Sequence, residues 1–261
     1  MTPAAEHAIL DVSSGAGYCS RGMPANRIRA VIFDLDGTLL NTLPDIAYSI
    51  NHALGQRGFA THPDDSYRTM VGSGMRVSVT RALEAAGIAP GRIGSPTPDD
   101  APVGPAVAPE LIESIVADVN ETYAADPVSR TTYYDGIRDL LGTLASRGVP
   151  MAVLSNKPDL LVQAIAREYL AEWGFARVLG QRDELPSKPD PQTALEIARE
   201  MKVSPDQVIF VGDSDIDMET AHRAGMVAVG AAWGFRGAAE LRSAGARIIV
   251  GHPSEILSLV S

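Results

Sequence analysis

Cysteine is almost absent from this sequence, since Cys19 is the only one among 261 residues. A single cysteine excludes an intramolecular disulfide and a cysteine-rich zinc site, and it favours a reducing compartment. No apolar run approaches the roughly 18 residues that a membrane-spanning helix requires. The first residues also show no basic-then-apolar secretion signal. We therefore predict a cytoplasmic protein with no membrane partner.

Positive charge is scarce as well. The chain has 22 Lys and Arg against 32 Asp and Glu, a formal net charge of −10. Such a chain is a poor polyanion binder, so we predict no nucleic-acid partner, and an anionic substrate would need local cations or a metal. With 45% hydrophobic residues the chain can bury a sizeable core, as one domain with a large insertion or as two domains. Monomer and homodimer both remain open.

The pattern that organises the chain is VIFDLDGTLLN, at residues 31–41. A short apolar, β-branched run stops at Asp34, which predicts a strand buried on both faces. Ligands of parallel sheets bind beyond the carboxyl ends of strands, and side chains two residues apart share a side there. Asp34 and Asp36 could therefore share a site with a divalent cation, although a solvated acidic turn is the plain alternative.

The remaining patterns divide the chain into three parts. Residues 1–26 show no sustained hydrophobic periodicity and are predicted to be a disordered extension. Residues 44–130 show helical periods, at 44–56, 66–70, 75–86 and 109–124, with a long Pro-rich loop at 90–109. Residues 27–43 and 131–261 alternate strand and helix, with a helix capped by Asp190 and begun by Pro191. These features predict an α/β fold: a doubly wound parallel sheet of about six strands (a Rossmann-like core) with a small inserted α-helical cap.

Chemically useful side chains follow four of the predicted strands. Asp34 and Asp36 follow the first, Ser155 the second, Lys188 the third, and Asp213, Asp215 and Asp217 the fourth. Because the carboxyl ends of parallel strands lie on one edge, these residues can form one site. Such a site would contain the groups that phosphoryl transfer requires: a carboxylate nucleophile, a second carboxylate, a hydroxyl, a lysine and a bound cation.

Each residue alone has an ordinary explanation. Ser155 could be a turn residue, Lys188 a solvated surface charge, and the GDSDID segment a calcium loop, although it has neither the glycine nor the distal glutamate of an EF-hand. Their joint appearance, in order and each after a strand, favours the catalytic interpretation.

Taken together, DLDGT at 34–38, SNK at 155–157, KP at 188–189 and GDSDID at 212–217 resemble the four ordered motifs of the haloacid dehalogenase superfamily, over residues 27–261. Within that superfamily the chain is most similar to phosphoglycolate phosphatases. The resemblance implies an Mg²⁺-dependent phosphatase of small phosphomonoesters that forms an aspartyl-phosphate, with 2-phosphoglycolate as the favoured substrate and glycolate as the product.

The resemblance also implies roles for individual residues. Asp34 would be the nucleophile, and Asp36 would protonate the leaving alkoxide and then activate water. Mg²⁺ would be held by Asp34, the backbone carbonyl of Asp36, Asp213 and, through water, Asp217. Four residues would bind the phosphorylated substrate at the sheet: Thr38, Ser155, Asn156 and Lys188.

Substrate choice is expected to reside in the cap. Gly72 and Gly74 precede a predicted helix, so their N–H groups could bind an anion, although a plain turn is the alternative. Arg76 is the candidate partner for a substrate carboxylate, with Lys157 as a substitute. Alternatives within the superfamily are a pyrophosphatase, a sugar-phosphate phosphatase and a phosphosugar mutase. A binding module without turnover is the alternative outside enzymes.

Overall fold

The computed structural model describes residues 10–11, 28–72, 74–88 and 108–260. The predicted extension therefore lies outside the described residues except at Leu10–Asp11, and so does nearly all of the predicted loop at 90–109. The chain forms two compact units. One contains the described residues up to Asn41 and from Thr132 onward, and the other comes from Thr42–Thr131.

The first unit is built on a seven-stranded sheet in which every pairing is parallel. Its strands are β1 (Leu10–Asp11), β2 (Ala30–Phe33), β5 (Met151–Pro158), β6 (Arg177–Gln181), β7 (Val208–Gly212), β8 (Val227–Ala231) and β9 (Ile248–Val250). Two further strands, β3 (Leu40–Asn41) and β4 (Thr132–Tyr133), form a separate antiparallel ribbon. The predicted doubly wound sheet is confirmed. The ribbon and the short edge strand β1 were not predicted.

The sheet is wound outward from its centre in both directions. Its spatial order is β1-β9-β8-β7-β2-β5-β6, so the chain runs from β2 through β5 to β6 and then returns to β7 on the other side of β2. In such a sheet the direction of winding reverses beside the central strand, and a crevice opens there at the carboxyl ends. The fold therefore places a natural binding position at the end of β2.

The strands of the centre are buried on both faces, which explains their unbroken apolar sequences. All four residues of β2 have zero exposure. Ala30 and Ile32 lie in one apolar layer with Phe210 of β7 and with Ile197 and Met218 from the helices beneath. Val31 and Phe33 point to the other face because side chains alternate along a strand.

Within the described residues, the first unit has five helices: α4 (Ile137–Ser146), α5 (Asp159–Tyr169), α6 (Gln192–Glu200), α7 (Asp215–Ala224) and α8 (Ala238–Ser243). The start predicted for α6 was wrong by one residue. Pro191 stands before the helix, and the Asp190 carboxylate accepts the N–H of Gln192 at 2.9 Å. Short 3₁₀ helices complete the unit at Ala171–Trp173, Pro205–Gln207 and Pro253–Ser258.

The second unit is helical in its described residues. It contains α1 (Leu43–Gln56), α2 (Met75–Ala85) and α3 (Pro109–Ala125), and α3 packs against both α1 and α2. The helical segment predicted at residues 66–70 is a 3₁₀ helix, which spans Asp64–Thr69 and so begins two residues earlier than predicted. Buried Asp45 in the first turn of α1 accepts hydrogen bonds from the Arg130 N–H and the Thr131 hydroxyl, which ties the two ends of the unit together. No helix in the described segments combines the length and apolar character that a bilayer crossing demands.

Asp159, the first residue of α5, fixes the neighbouring β5–β6 pair. Its carboxylate accepts the Gly180 N–H at 2.9 Å and the Gln163 amide at 3.2 Å, and it pairs with Arg182 at 2.8 Å. Burial opposes ionisation, but these partners outweigh it and lower the pKa of Asp159 below its usual value. The ionised carboxylate therefore stabilises the fold above the ordinary carboxyl pKa, and this contribution is lost as the pH falls through the lowered value.

We expect Asp159→Asn to reduce the free energy of unfolding by about 1.5 kcal/mol at pH 7, the scale of a hydrogen bond to a charged group. Chemical denaturation at several pH values measures the difference from wild type, which should shrink towards pH 3. Asp183→Asn, at an exposed residue after β6, is the matched control. A difference that stays constant between pH 7 and pH 3 would contradict this assignment.

Candidate active site

Asp34 stands at the carboxyl end of β2, where the winding of the sheet reverses. Its N–H donates to the Val211 carbonyl at 2.9 Å, so its backbone is still held by β7. The chain then turns sharply at Gly37, whose φ of +86° suits glycine. This turn keeps Asp34 and Asp36 at the sheet edge.

Lys188 joins two of the acidic residues from a loop after β6. Its Nζ lies 2.8 Å from Asp34 Oδ1 and 2.6 Å from Asp217 Oδ1, and its side chain is only 4% exposed. The backbone of Lys188 is fixed by Asn156, whose amide makes a reciprocal pair of hydrogen bonds with it at 2.8 and 2.9 Å. Asn156 therefore positions Lys188.

Asp213 follows β7 directly and lies against the turn at Gly37. Its carboxylate accepts the Thr38 hydroxyl at 3.2 Å and the Phe235 N–H at 2.7 Å. A Cβ added to Gly37 would lie 2.2 Å from Asp213 Oδ2, and one added to Gly234 would lie 2.3 Å from Asp213 Cβ. Both glycines are thus required for the close packing around this carboxylate.

Asp217 lies in the first turn of α7 and is completely buried. Its Oδ2 accepts hydrogen bonds from the Ser214 N–H at 3.1 Å and the Ser214 hydroxyl at 2.6 Å. The carboxylate is therefore part of the capping box of α7, and its other oxygen faces Lys188. Asp215, in the same segment, is exposed.

The site holds more negative charge than Lys188 can offset. Burial raises the pKa of Asp34 to about 7; Lys188 opposes the shift, and the carboxylates of Asp217 and Asp36 add to it. The pKa of Asp213 is raised well above its usual value, first by burial and then by Asp34 and Asp217. Burial alone would lower the pKa of Lys188, but Asp217 and Asp34 raise it overall, so the lysine stays charged.

This arrangement fits a bound cation. Asp34, Asp213 and Asp217 each offer an oxygen, these atoms lie within 4.8 Å of one another, and all three residues are buried. Hard divalent cations prefer oxygen ligands, and a positive ion would offset both the burial and the repulsion that raise the pKa values of Asp34 and Asp213. The buried acidic cluster is therefore a candidate metal site.

Three other predicted site residues lie in the turn after β2 and in β5. The Thr38 hydroxyl is committed to Asp213, and Thr38 is fully buried. Ser155 is buried in β5, where its hydroxyl accepts the Lys157 N–H at 3.2 Å. Asp36 directs its carboxylate to Lys157, with Nζ 2.6 Å from Oδ1. The side chain of Asp36 is thus turned to a lysine, while its predicted metal contact is through the backbone carbonyl.

The predicted cap residues lie in the second unit. Gly72 and Gly74 both have positive φ, at 107° and 93°, and Gly74 stands at the N-cap of α2. Arg76, in the first turn of that helix, forms an ion pair with Glu113 of α3. The side chain of Arg76 is half exposed.

Two parts of the site were not predicted from the sequence. One is the pairing of Lys157 with Asp36. The other is the loop after β8, where Phe235 holds Asp213 and the Trp233 indole donates to the Thr38 carbonyl at 2.9 Å. This loop could have been found from the sequence because it follows a fifth predicted strand, and the carboxyl end of that strand lies on the same edge of the sheet as the acidic residues.

The chain belongs to the haloacid dehalogenase-like hydrolase family, whose model matches residues 31–231. The matched region runs from β2 to the end of β8, so it includes the segments that carry Asp34, Lys188 and Asp213, and it ends just before the loop of Trp233 and Phe235. The predicted resemblance is confirmed.

Within this family, the chain is similar to proteins that are named as phosphatases. The chain is 30% identical over 209 residues to a phosphoglycolate phosphatase of Haemophilus influenzae, covering 80% of this chain and 88% of that protein. It is 36% identical over 213 residues to a phosphoglycolate phosphatase of Pseudomonas putida, covering 81% and 72%. The crystal structure of a predicted phosphoglycolate phosphatase from Haemophilus somnus matches with a TM-score of 0.75 and 25% identity, over 90% of this chain and 99% of that one. The chain is a phosphatase of this family.

Proposed function

We propose that this phosphatase hydrolyses small phosphomonoesters with the help of Mg²⁺, and that 2-phosphoglycolate is its preferred substrate, giving glycolate and phosphate. One observation carries the proposal. Buried Asp34 lies at the reversal point of the sheet, 2.8 Å from the Nζ of Lys188 and within 4.8 Å of two further carboxylates. The names of the relatives support the choice of substrate.

In the first step an Asp34 oxygen attacks phosphorus. A bond forms between that oxygen and phosphorus, the bond to the leaving oxygen breaks, and Asp36 gives its proton to the leaving alkoxide. The product alcohol departs and an aspartyl-phosphate remains on Asp34. A carboxylate nucleophile divides the hydrolysis into two easier reactions, and a proton donor makes the alkoxide a better leaving group.

In the second step water attacks the aspartyl-phosphate. Asp36, now ionised, removes a proton from that water, the bond between phosphorus and the Asp34 oxygen breaks, and phosphate leaves. Asp34 returns to a carboxylate and Asp36 to an acid, so the cycle closes.

Positive charge and hydrogen-bond donors would stabilise the transferring group. Lys188 and Ser155 are proposed to contact its oxygens, with Thr38 and Asn156 beside them. Mg²⁺, held by Asp34, the Asp36 carbonyl, Asp213 and Asp217, would supply charge that offsets the carboxylates and the phosphate.

Selectivity is proposed to come from the helical unit. A substrate such as 2-phosphoglycolate carries a carboxylate beside its phosphate, so it offers a second anionic group for recognition. The N–H groups near Gly72 and Gly74 at the start of α2, and the guanidinium of Arg76, are the proposed partners of that group. Arg76 would have to exchange Glu113 for the substrate.

The test is phosphate release from a panel containing 2-phosphoglycolate, sugar phosphates, aryl phosphates and pyrophosphate, with and without Mg²⁺. We expect 2-phosphoglycolate to have the highest kcat/KM, by about tenfold or more, the scale of one added polar contact. A higher value for pyrophosphate or a sugar phosphate would reassign the substrate and leave the reaction class intact. Activity that requires a bisphosphate activator would favour the mutase, and release from no ester would favour the binding module.

A further inference from the structure

Lys157 is a buried cation that has no role in the two proposed steps of phosphate ester hydrolysis. Its side chain is 4% exposed, and its Nζ lies 2.6 Å from Oδ1 of Asp36, whose side chain is 19% exposed. Burying a lysine is costly unless the charge is paired. The pair therefore constrains both side chains, and one of them is the proposed acid and base.

The segment that carries Lys157 is fixed from both sides. Its N–H donates to the Ser155 hydroxyl at 3.2 Å, at the point where the β5–β6 register shifts beyond Leu154. A Cβ added to Gly180 on β6 would lie 2.7 Å from the Lys157 carbonyl oxygen, so the two strands are in close contact here. Asp159 closes the same turn by accepting the Gly180 N–H. These contacts fix the backbone position from which the Lys157 side chain reaches Asp36.

We propose that Lys157 is a positioning residue that orients the carboxyl group of Asp36 for proton transfer to the leaving oxygen. This inference rests on the proposed function, since it needs Asp36 to be the proton donor. A short carboxyl side chain has two freely rotating bonds, and a charged hydrogen bond from a buried lysine restricts both. Lys157 would therefore act on the reaction through Asp36.

This role has a chemical consequence that a general loss of structure does not share. An alkyl phosphate expels an alkoxide and needs the proton, whereas p-nitrophenyl phosphate expels a stable phenolate and does not. The ratio kcat/KM reports the barrier up to the release of the leaving group. Removing Lys157 should then harm alkyl esters selectively.

The experiment compares Lys157→Met with wild type on the fastest alkyl ester of the panel and on p-nitrophenyl phosphate. We expect kcat/KM to fall about 30-fold for the alkyl ester, part of the 10²–10⁴ that general acids contribute, and less than about threefold for the aryl ester. Lys202→Met, at an exposed lysine after α6, is the matched control and should change neither value. Equal losses on both esters would overturn the proposal.

A double-mutant cycle tests whether Lys157 acts through Asp36. In Asp36→Asn the proton donor is gone, so adding Lys157→Met should lower kcat/KM for the alkyl ester less than about twofold further. Multiplying losses would overturn the proposal. If Lys157→Met does not fold, judged by circular dichroism, Lys157→Gln takes its place in both comparisons, and the same outcomes apply.

The outcomes separate this inference from the proposed function. Wild-type enzyme that releases phosphate from no ester refutes both. Wild-type activity with an unselective or multiplicative loss in the lysine variant refutes only the role of Lys157.

Discussion

Asp34→Asn is expected to abolish phosphate release while the protein stays folded. The amide has nearly the same shape as the carboxylate but is a far weaker nucleophile, so no aspartyl-phosphate can form. Loss of a nucleophile in other covalent enzymes costs on the order of 10⁶ in kcat, and we expect at least about 10³ here. The substitution also removes a carboxylate whose ionisation is disfavoured in the fold, since burial and then the charges of Asp217 and Asp36 raise its pKa to about 7, so thermal stability should not fall.

The measurement is phosphate release under saturating substrate, paired with a thermal melt of the same sample. Asp215→Asn is the matched control, because Asp215 is an exposed aspartate outside the acidic cluster and should retain wild-type activity. Wild-type rates in Asp34→Asn would remove the nucleophile assignment. A large fall in Tm would show that the lost activity reflects unfolding instead.

Mg²⁺ is expected to stabilise the protein as well as activate it. Saturation at about one hundred times the Kd contributes about 2.7 kcal/mol to the folded state, which is a rise in Tm of about 5–10 °C for a chain of this size. EDTA should reverse the shift and stop phosphate release. Asp213→Asn should lose both responses, because Asp213 supplies one oxygen of the cluster.

Differential scanning calorimetry over a Mg²⁺ titration measures this effect without reference to turnover. Asp215→Asn again serves as control and should show the full wild-type shift. An Asp213→Asn protein with the same shift as wild type would place the ion elsewhere. An unchanged Tm in wild-type protein, together with full activity in EDTA, would refute the metal requirement.

The sheet could be predicted because its sequence signals are local. Each central strand is a short apolar run that ends at a polar or glycine residue, and burial on both faces makes such runs continuous. What the sequence could not provide were features decided by partners far away along the chain. Leu40–Asn41 is a strand only because Thr132–Tyr133 pairs with it, and Leu10–Asp11 only because it meets β9.

The acidic part of the site could be predicted from strand ends, because a parallel sheet brings them to one edge. The supporting contacts could not. Nothing in the residues around Lys157 indicates that it would be buried against Asp36, since most lysines are exposed. Asn156 was predicted to bind substrate, and in the structure its amide also holds the backbone of Lys188. Contacts of this kind, which support a site residue from another segment, depend on distances that the sequence does not show.

The central position of β2 has a consequence for how the protein is made. β2 is the first strand of the central group to be synthesised, but Val31 pairs with Met151 on one side and with Ile209 on the other. A growing chain therefore carries an apolar strand with an open edge until β7 has left the ribosome, and such edges template wrong pairing. Contacts this distant in sequence also slow folding. The strand that presents the nucleophile thus waits for partners that are synthesised much later, so regained activity after dilution from denaturant reports that the centre of the sheet has formed.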